Sequence, residues 1–208
     1  LKAERAYLGS PRHERDTAFW RTRYATLPPA LLQPRYEIHG TPLAGSGKHV
    51  WHMPRVVFDG VRAYVRQHGL TESHFFLALI HSYFSRVNDV EELVIGVPVH
   101  NRTNPAQRQT IGMFSSMNPV GVAVDTSRDF PAQMQAVARE LKRCLRHQRL
   151  PISDINRVVQ LTQTGRRQLY DITFSFEEFD ADVQMGSATP SFWTLHNEHE
   201  QTPLAIGV

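Results

Sequence analysis

The chain has 208 residues, 41% of them hydrophobic and 21% charged, which is an ordinary globular balance with enough length for one sizeable core or two small lobes. The net charge of +3 comes mostly from arginine; it is too weak to argue for nucleic acid, and it fits a solvated surface or, functionally, an acidic protein partner. One cysteine, Cys144, excludes an internal disulfide framework and a cysteine-rich metal site, and no apolar run reaches the ~18 residues of a membrane span.

In chain order, the start Leu1-Lys2-Ala3-Glu4-Arg5 has no apolar signal-peptide core. Ser10-Pro11 opens a helix that runs to about Ala25, with Phe19, Trp20 and Tyr24 as its apolar positions. Leu27-Pro28-Pro29 stops it, and the Pro- and Gly-rich residues 28–48 read as a linker. A short strand is expected over His49 to Met53. Pro54 starts a second helix with Val57, Phe58, Val61, Tyr64 and Val65 on one face and Gly69 past its end. Thr71 caps a third, Glu72 to Arg86, whose run Phe75 to Ile80 is apolar nearly all round and predicts deep burial.

Leu93 to Val99 has the unbroken apolar character of a central strand. A polar loop, His100 to Gln109, precedes a second strand at Val120, Val122 and Val124. Asp129 caps a helix with the stripe Met134, Val137, Ala138, Leu141 and Leu145, and Ile152 to Leu161 suggests a short further helix. Ile172, Phe174 and Phe176 alternate as a strand, and Ser191 to Leu195 suggests another. Ala205-Ile206-Gly207-Val208 reads as the middle of an apolar strand. The expectation is a mixed α/β layer structure cut from a longer, cytoplasmic polypeptide.

Several chemical constellations carry little weight. His196-Asn197-Glu198-His199-Glu200 has the i, i+3 spacing that serves a metal only on a helix, and its flanks read as strand or loop. Glu177 to Asp182 is an acidic solvated loop more readily than a cation site. Cys144 lies in an arginine-rich helix, which lowers a thiol pKa, yet a nucleophilic role is not expected. No nucleophile elbow and no phosphate-cradling glycine loop is present, so no metal and no bound cofactor is predicted. The segment from Val94 to Val124 is the most informative. Small polar residues, Ser115, Ser116 and Asn118, stand between two buried strands and offer hydrogen bonds without charge, as a tunnel wall requires; a tight connection that only satisfies its own backbone is the alternative.

That segment resembles the condensation domains of nonribosomal peptide synthetases, through His100-Asn101-Arg102 and Ile111-Gly112-Met113-Phe114. Three further stretches agree in order and spacing: Phe19-Trp20-Arg21 to Leu27-Pro28, Gly69-Leu70-Thr71 before an apolar helix, and His147-Gln148-x-x-Pro151. The resemblance implies an α/β, chloramphenicol-acetyltransferase-like fold, a mixed sheet flanked by helices, here incomplete. Residues 1–27 would end the N-terminal lobe, residues 28–48 link the lobes, and residues 49–208 form the truncated C-terminal lobe.

It also implies chemistry. An amine on one carrier attacks an acyl or peptidyl thioester on another, and an amide forms. The substrates arrive on the 4'-phosphopantetheine arms of carrier proteins, with an adenylation domain in the same polypeptide. The barrier lies in deprotonating the amine and stabilising an oxyanion. The family's His-His-x-x-x-Asp-Gly motif serves that centre and is not present in these residues; it is expected before Leu1, so the chain alone is expected to be inactive. Pro54 to Gly60 copies only the Asp-Gly ending, on a predicted helix. Arg102, Ser115, Ser116 and Asn118 are the expected tunnel residues, Arg102 as a support whose alternative is a salt bridge or a carbonyl clamp. Gly112-Met113-Phe114-Ser115-Ser116 resembles a subgroup that includes starter-type domains; Ser116 stands where many members have asparagine. A non-catalytic module that docks carriers or tailoring enzymes is the second reading, and an acyltransferase with an alcohol acceptor a weaker third.

Overall fold

The computed structural model describes residues 2–32, 45–102, 104–178, 186, 200 and 202–208. Two helices open it: α1 (Lys2–Tyr7) and α2 (Pro11–Arg23). The Ser10 hydroxyl accepts from the His13 N–H and Pro11 occupies the first turn, where its missing N–H is not needed. α3 (Arg55–Gln67) ends at Gly69, whose φ of +65° lets the chain reverse while Leu70 donates back to the Val65 carbonyl at 3.0 Å. α4 (Glu72–Asn88) begins with a reciprocal cap: the Thr71 hydroxyl accepts from the His74 N–H, and the His74 ring accepts from the Thr71 N–H.

β1 (Glu92–Val99) is joined to β2 (Ser116–Ala123) by a loop that holds one turn of helix, α5 (Pro105–Arg108). The two strands are antiparallel, with Leu93 opposite Val122 and Val99 opposite Ser116. Next come α6 (Phe130–Arg146), capped by Asp129, α7 (Ile152–Val158) and a 3-10 turn at Leu161–Thr164. β3 (Ile172–Ser175) and β4 (Leu204–Gly207) complete a mixed sheet in the order β2-β1-β3-β4, parallel from β1 to β4. α4 and α6 pack on each other, and they rest on β1 and β2 respectively. Burial is nearly complete for Leu77, Leu93, Ile95, Val120, Met134, Val137 and Ile172, with Trp20 of α2 and Tyr24, just past its end, in the same cluster. A glycine is required at Gly96, where a Cβ would stand 2.7 Å from the Tyr170 ring.

Three expectations need correction. His49 to Met53 forms no strand: Val50, Trp51 and Met53 are exposed and the segment joins no ladder, so apolar residues there had no partner to pair with. α4 is buried on one face only, through Phe76, Leu77, Ala78, His81 and Ser85, whereas Leu79, Tyr83 and Val87 are exposed. The buried stripe of α6 is Gln133, Met134, Val137, Glu140 and Cys144, with Leu145 at its exposed edge. The helix is turned so that Glu140 meets arginine, which hydrophobic periodicity does not register. The expected strand at Ser191 to Leu195 lies outside the described residues.

Candidate functional site

The loop between β1 and β2 is braced from within. Asn101 takes the left-handed conformation, φ +50°, and turns the chain out of β1. Arg102 then reaches across the loop. Its Nη1 donates to the carbonyls of Gln107 and, at 2.8 Å, Thr110; its Nη2 donates to the Gly112 carbonyl at 2.8 Å. The guanidinium also sits 4.3 Å from the centre of the Phe114 ring. Asn104 caps α5 by accepting from the Gln107 N–H at 2.9 Å, and Thr110 donates its hydroxyl to the Ala106 carbonyl at 2.7 Å. Arg102 is therefore a carbonyl clamp, and the backbone groups that α5 and the turn leave over are its targets.

The clamp leaves Ile111 and Met113 almost wholly exposed at the loop tip. Ser115 is exposed just before β2, and Ser116, the first residue of β2, is half-buried opposite Val99. Asn118 faces inward. It has no exposed surface, and its amide donates to the Cys144 carbonyl at 3.2 Å, which ties β2 to the end of α6. Arg102, Ser115 and Ser116 thus share one loop and its strand junction, and Asn118 stands behind them.

A second set of contacts joins α2 to the sheet and to α6. Arg23 donates to Glu140 Oε1, Glu92 Oε1 and the Gly121 carbonyl, each at 2.6 Å. Burial works against its charge, but the bonds to Glu140 and Glu92 outweigh that and raise its pKa. Gly121 leaves the room: a Cβ there would meet the guanidinium at 2.7 Å. His147 Nδ1 lies 2.8 Å from Asp16 Oδ1, and the Tyr7 hydroxyl donates to Asp16 Oδ2 at 2.8 Å. The Trp20 Nε1–H donates to the His147 carbonyl at 3.0 Å. Two motifs 127 residues apart, the aromatic pair of α2 and the His-Gln-x-x-Pro segment, are thus one contact.

Cys144 is fully buried, and burial together with nearby Glu140 pushes its thiol up to about 12, against the lowering that its arginine neighbours exert. His81, on α4, is fully buried with neither ring nitrogen bonded, and burial pushes its pKa down to about 3. No signal in the sequence distinguishes it from the apolar residues around it. Among the described residues no group of three His, Cys, Asp or Glu could hold a metal ion, and no helix is long and apolar enough to cross a membrane. Of the His196 to Glu200 cluster only Glu200 is described. Asp59 of the Asp-Gly ending lies on the exposed side of α3, paired with Arg55 at 2.9 Å.

The family model for the Condensation domain matches residues 1–203. The chain belongs to the condensation-domain family. Among relatives, it is 23% identical to Surfactin synthase subunit 1 of Bacillus subtilis (strain 168), over 84% of this chain and 5% of that protein. It is 26% identical to Isonitrile lipopeptide synthase of Streptomyces coeruleorubidus, over 93% of this chain and 13% of that one. The fold matches the first condensation domain of the calcium-dependent antibiotic synthetase with a TM-score of 0.74 at 22% identity, over 90% of this chain and 40% of that chain. A starter condensation domain of rhizomide synthetase matches with a TM-score of 0.66 at 24% identity, over 87% and 40%. The chain therefore spans about two fifths of these solved condensation domains and a small share of the synthetases it resembles.

Proposed function

We propose that this condensation-domain chain is the C-terminal part of an enzyme that forms an amide between a carrier-bound acyl or peptidyl thioester and a carrier-bound aminoacyl acceptor. The family match over residues 1–203 carries the reading. Carrier proteins are the partners, their 4'-phosphopantetheine arms deliver the substrates, and an adenylation domain is adjacent in the same cytoplasmic polypeptide. The starter-type likeness of Gly112 to Ser116 makes an acyl donor the first substrate to try. Residues 1–27 then close the first lobe and residues 49–208 form the second, with residues 28–48 between them.

In this reading the reaction's general base lies before Leu1, and the chain contributes a wall. The Arg102 clamp fixes the loop, Ser115 and Ser116 present hydroxyls to the substrate channel, and Asn118 holds β2 against α6 from behind. Fixed hydroxyl dipoles need no reorganisation as charge develops on a thioester oxygen, so a rigid loop favours the transition state over a mobile one. The chain alone is inactive because positioning without a base leaves the amine protonated.

The test is intact-protein mass spectrometry of an acyl-loaded donor carrier and an aminoacyl-loaded acceptor carrier. They are mixed with this chain or with a version extended upstream through the histidine motif. Amide on the acceptor carrier only with the extended version is the expected result. No product with either, on substrates that a control domain joins, favours the docking module; product with the chain alone refutes the assignment of the base.

A further inference from the structure

The two most exposed large apolar side chains among the described residues stand together at the tip of the β1–β2 loop: Ile111 is 101% exposed and Met113 92%. A lone exposed apolar residue on a protein surface is ordinary. This pair differs in three respects.

First, it is held still. The Gly112 carbonyl between the two accepts from Arg102 Nη2 at 2.8 Å, and the Thr110 carbonyl just before them accepts from Nη1 at 2.8 Å. The same guanidinium lies 4.3 Å from the ring of Phe114, just after them. Gly112 has φ +145°, which L side chains rarely adopt, so a glycine is needed to link the pair. Second, its stretch of chain is uncharged. Residues 109–124 contain no Asp, Glu, Lys, Arg or His, although 21% of the whole chain is charged. The run offers apolar surface, hydroxyls and amides, and no charge to pair with a carboxylate, a phosphate or an ammonium group. Third, it is close to the hydroxyls of the candidate site. Met113 precedes Ser115 by two residues and Ser116 by three, so their Cα atoms are at most about 7 and 11 Å apart.

We infer that Ile111 and Met113 select the acyl donor by receiving the hydrocarbon tail of a medium-chain acyl thioester whose carbonyl lies at Ser115 and Ser116. The inference rests on the amide-forming reading above and names its donor class. A hydrocarbon tail is the ligand that such a tip favours, because it removes apolar area from water and leaves no charge unpaired. A short, polar donor leaves both side chains in water. Met113 suits tails of different length, since an unbranched thioether rearranges at little cost, and β-branched Ile111 gives it a stiff neighbour. Two side chains fall far short of the roughly 800 Å² per partner that a stable protein interface buries, so the tip by itself is no docking surface for a second copy or a neighbouring domain.

The test uses the version extended upstream through the histidine motif. Acetyl- and octanoyl-loaded donor carriers compete for one aminoacyl-loaded acceptor carrier, and the two amides are counted by intact-protein mass spectrometry. Competition reads the ratio of the two kcat/KM values, which a partly unfolded sample does not alter. Wild type should favour octanoyl by at least about tenfold. The variant I111S/M113S should bring that preference down to about threefold or less, and I111V/M113L, which keeps the apolar surface, should retain it. A circular-dichroism melt confirms that both variants are folded. No preference for octanoyl in wild type, or a preference that I111S/M113S keeps, overturns this inference alone. An equal fall for both donors in I111S/M113S also overturns it, in favour of a packing contact with the other lobe. No amide from either donor with wild type refutes the amide-forming reading, and this inference with it.

Discussion

Lowering the pH should destabilise this protein through His81. The ring is fully buried on α4 and neither nitrogen has a partner, so the folded protein holds it neutral, with a pKa pushed from 6.5 to about 3. The unfolded chain takes up the proton near the ordinary value. Stability from this group is therefore fully present above about 6.5 and is lost as the pH falls towards the folded value. At about pH 5 the loss is 1.5 pH units, or about 2 kcal/mol at ~1.4 kcal/mol per unit. That figure holds for any folded pKa well below 5. For a chain of this length it is roughly 4–8 °C of melting temperature. Carboxylates also titrate in this range, so the measurement is the difference between wild type and His81→Leu, taken by urea unfolding at about pH 7.5 and pH 5. Leu removes two unbonded nitrogens from the core and should match or exceed wild-type stability at the higher pH. Its advantage should then grow by about 2 kcal/mol at the lower pH. An advantage that does not change with pH would refute the reasoning.

Arg23→Met leaves the buried Glu140 carboxylate with Arg143 and the Cys144 thiol as its partners, and should cost about 3–5 kcal/mol by denaturant unfolding. Gly96→Ala drives a methyl into the Tyr170 ring and should cost about 1–3 kcal/mol in the same assay, with Tyr170→Ala in the same chain relieving the overlap while opening a cavity. Cys144 should not react with a thiol reagent at neutral pH in the folded protein and should react fully in urea, because its thiol is buried and pushed up to about 12.

What was legible in the sequence is local. Ser10-Pro11, Thr71 and Asp129 mark helix starts because capping needs only the residues next to the turn. Leu93 to Val99 declares a central strand because both its faces are covered. His49 to Met53 misleads for the complementary reason: a strand needs a partner, and apolar content says nothing about where one is. The candidate site was legible in part. The residue types single out Arg102, but its clamp on three carbonyls depends on a turn whose shape they do not state. Asn118 looked like a wall residue because its type is polar, whereas the register of β2 turns it inward to the Cys144 carbonyl. The ties of Arg23 to Glu140 and of His147 to Asp16 join residues more than a hundred positions apart, beyond any periodicity.

The proposed role of the β1–β2 loop in amide formation is tested most directly by Arg102→Ala in the version extended upstream, with carrier-bound amide product followed over time. The rate should fall at least about tenfold, with global stability little changed, since the clamp holds a surface loop rather than the core. A wild-type rate from a folded Arg102→Ala protein would contradict it.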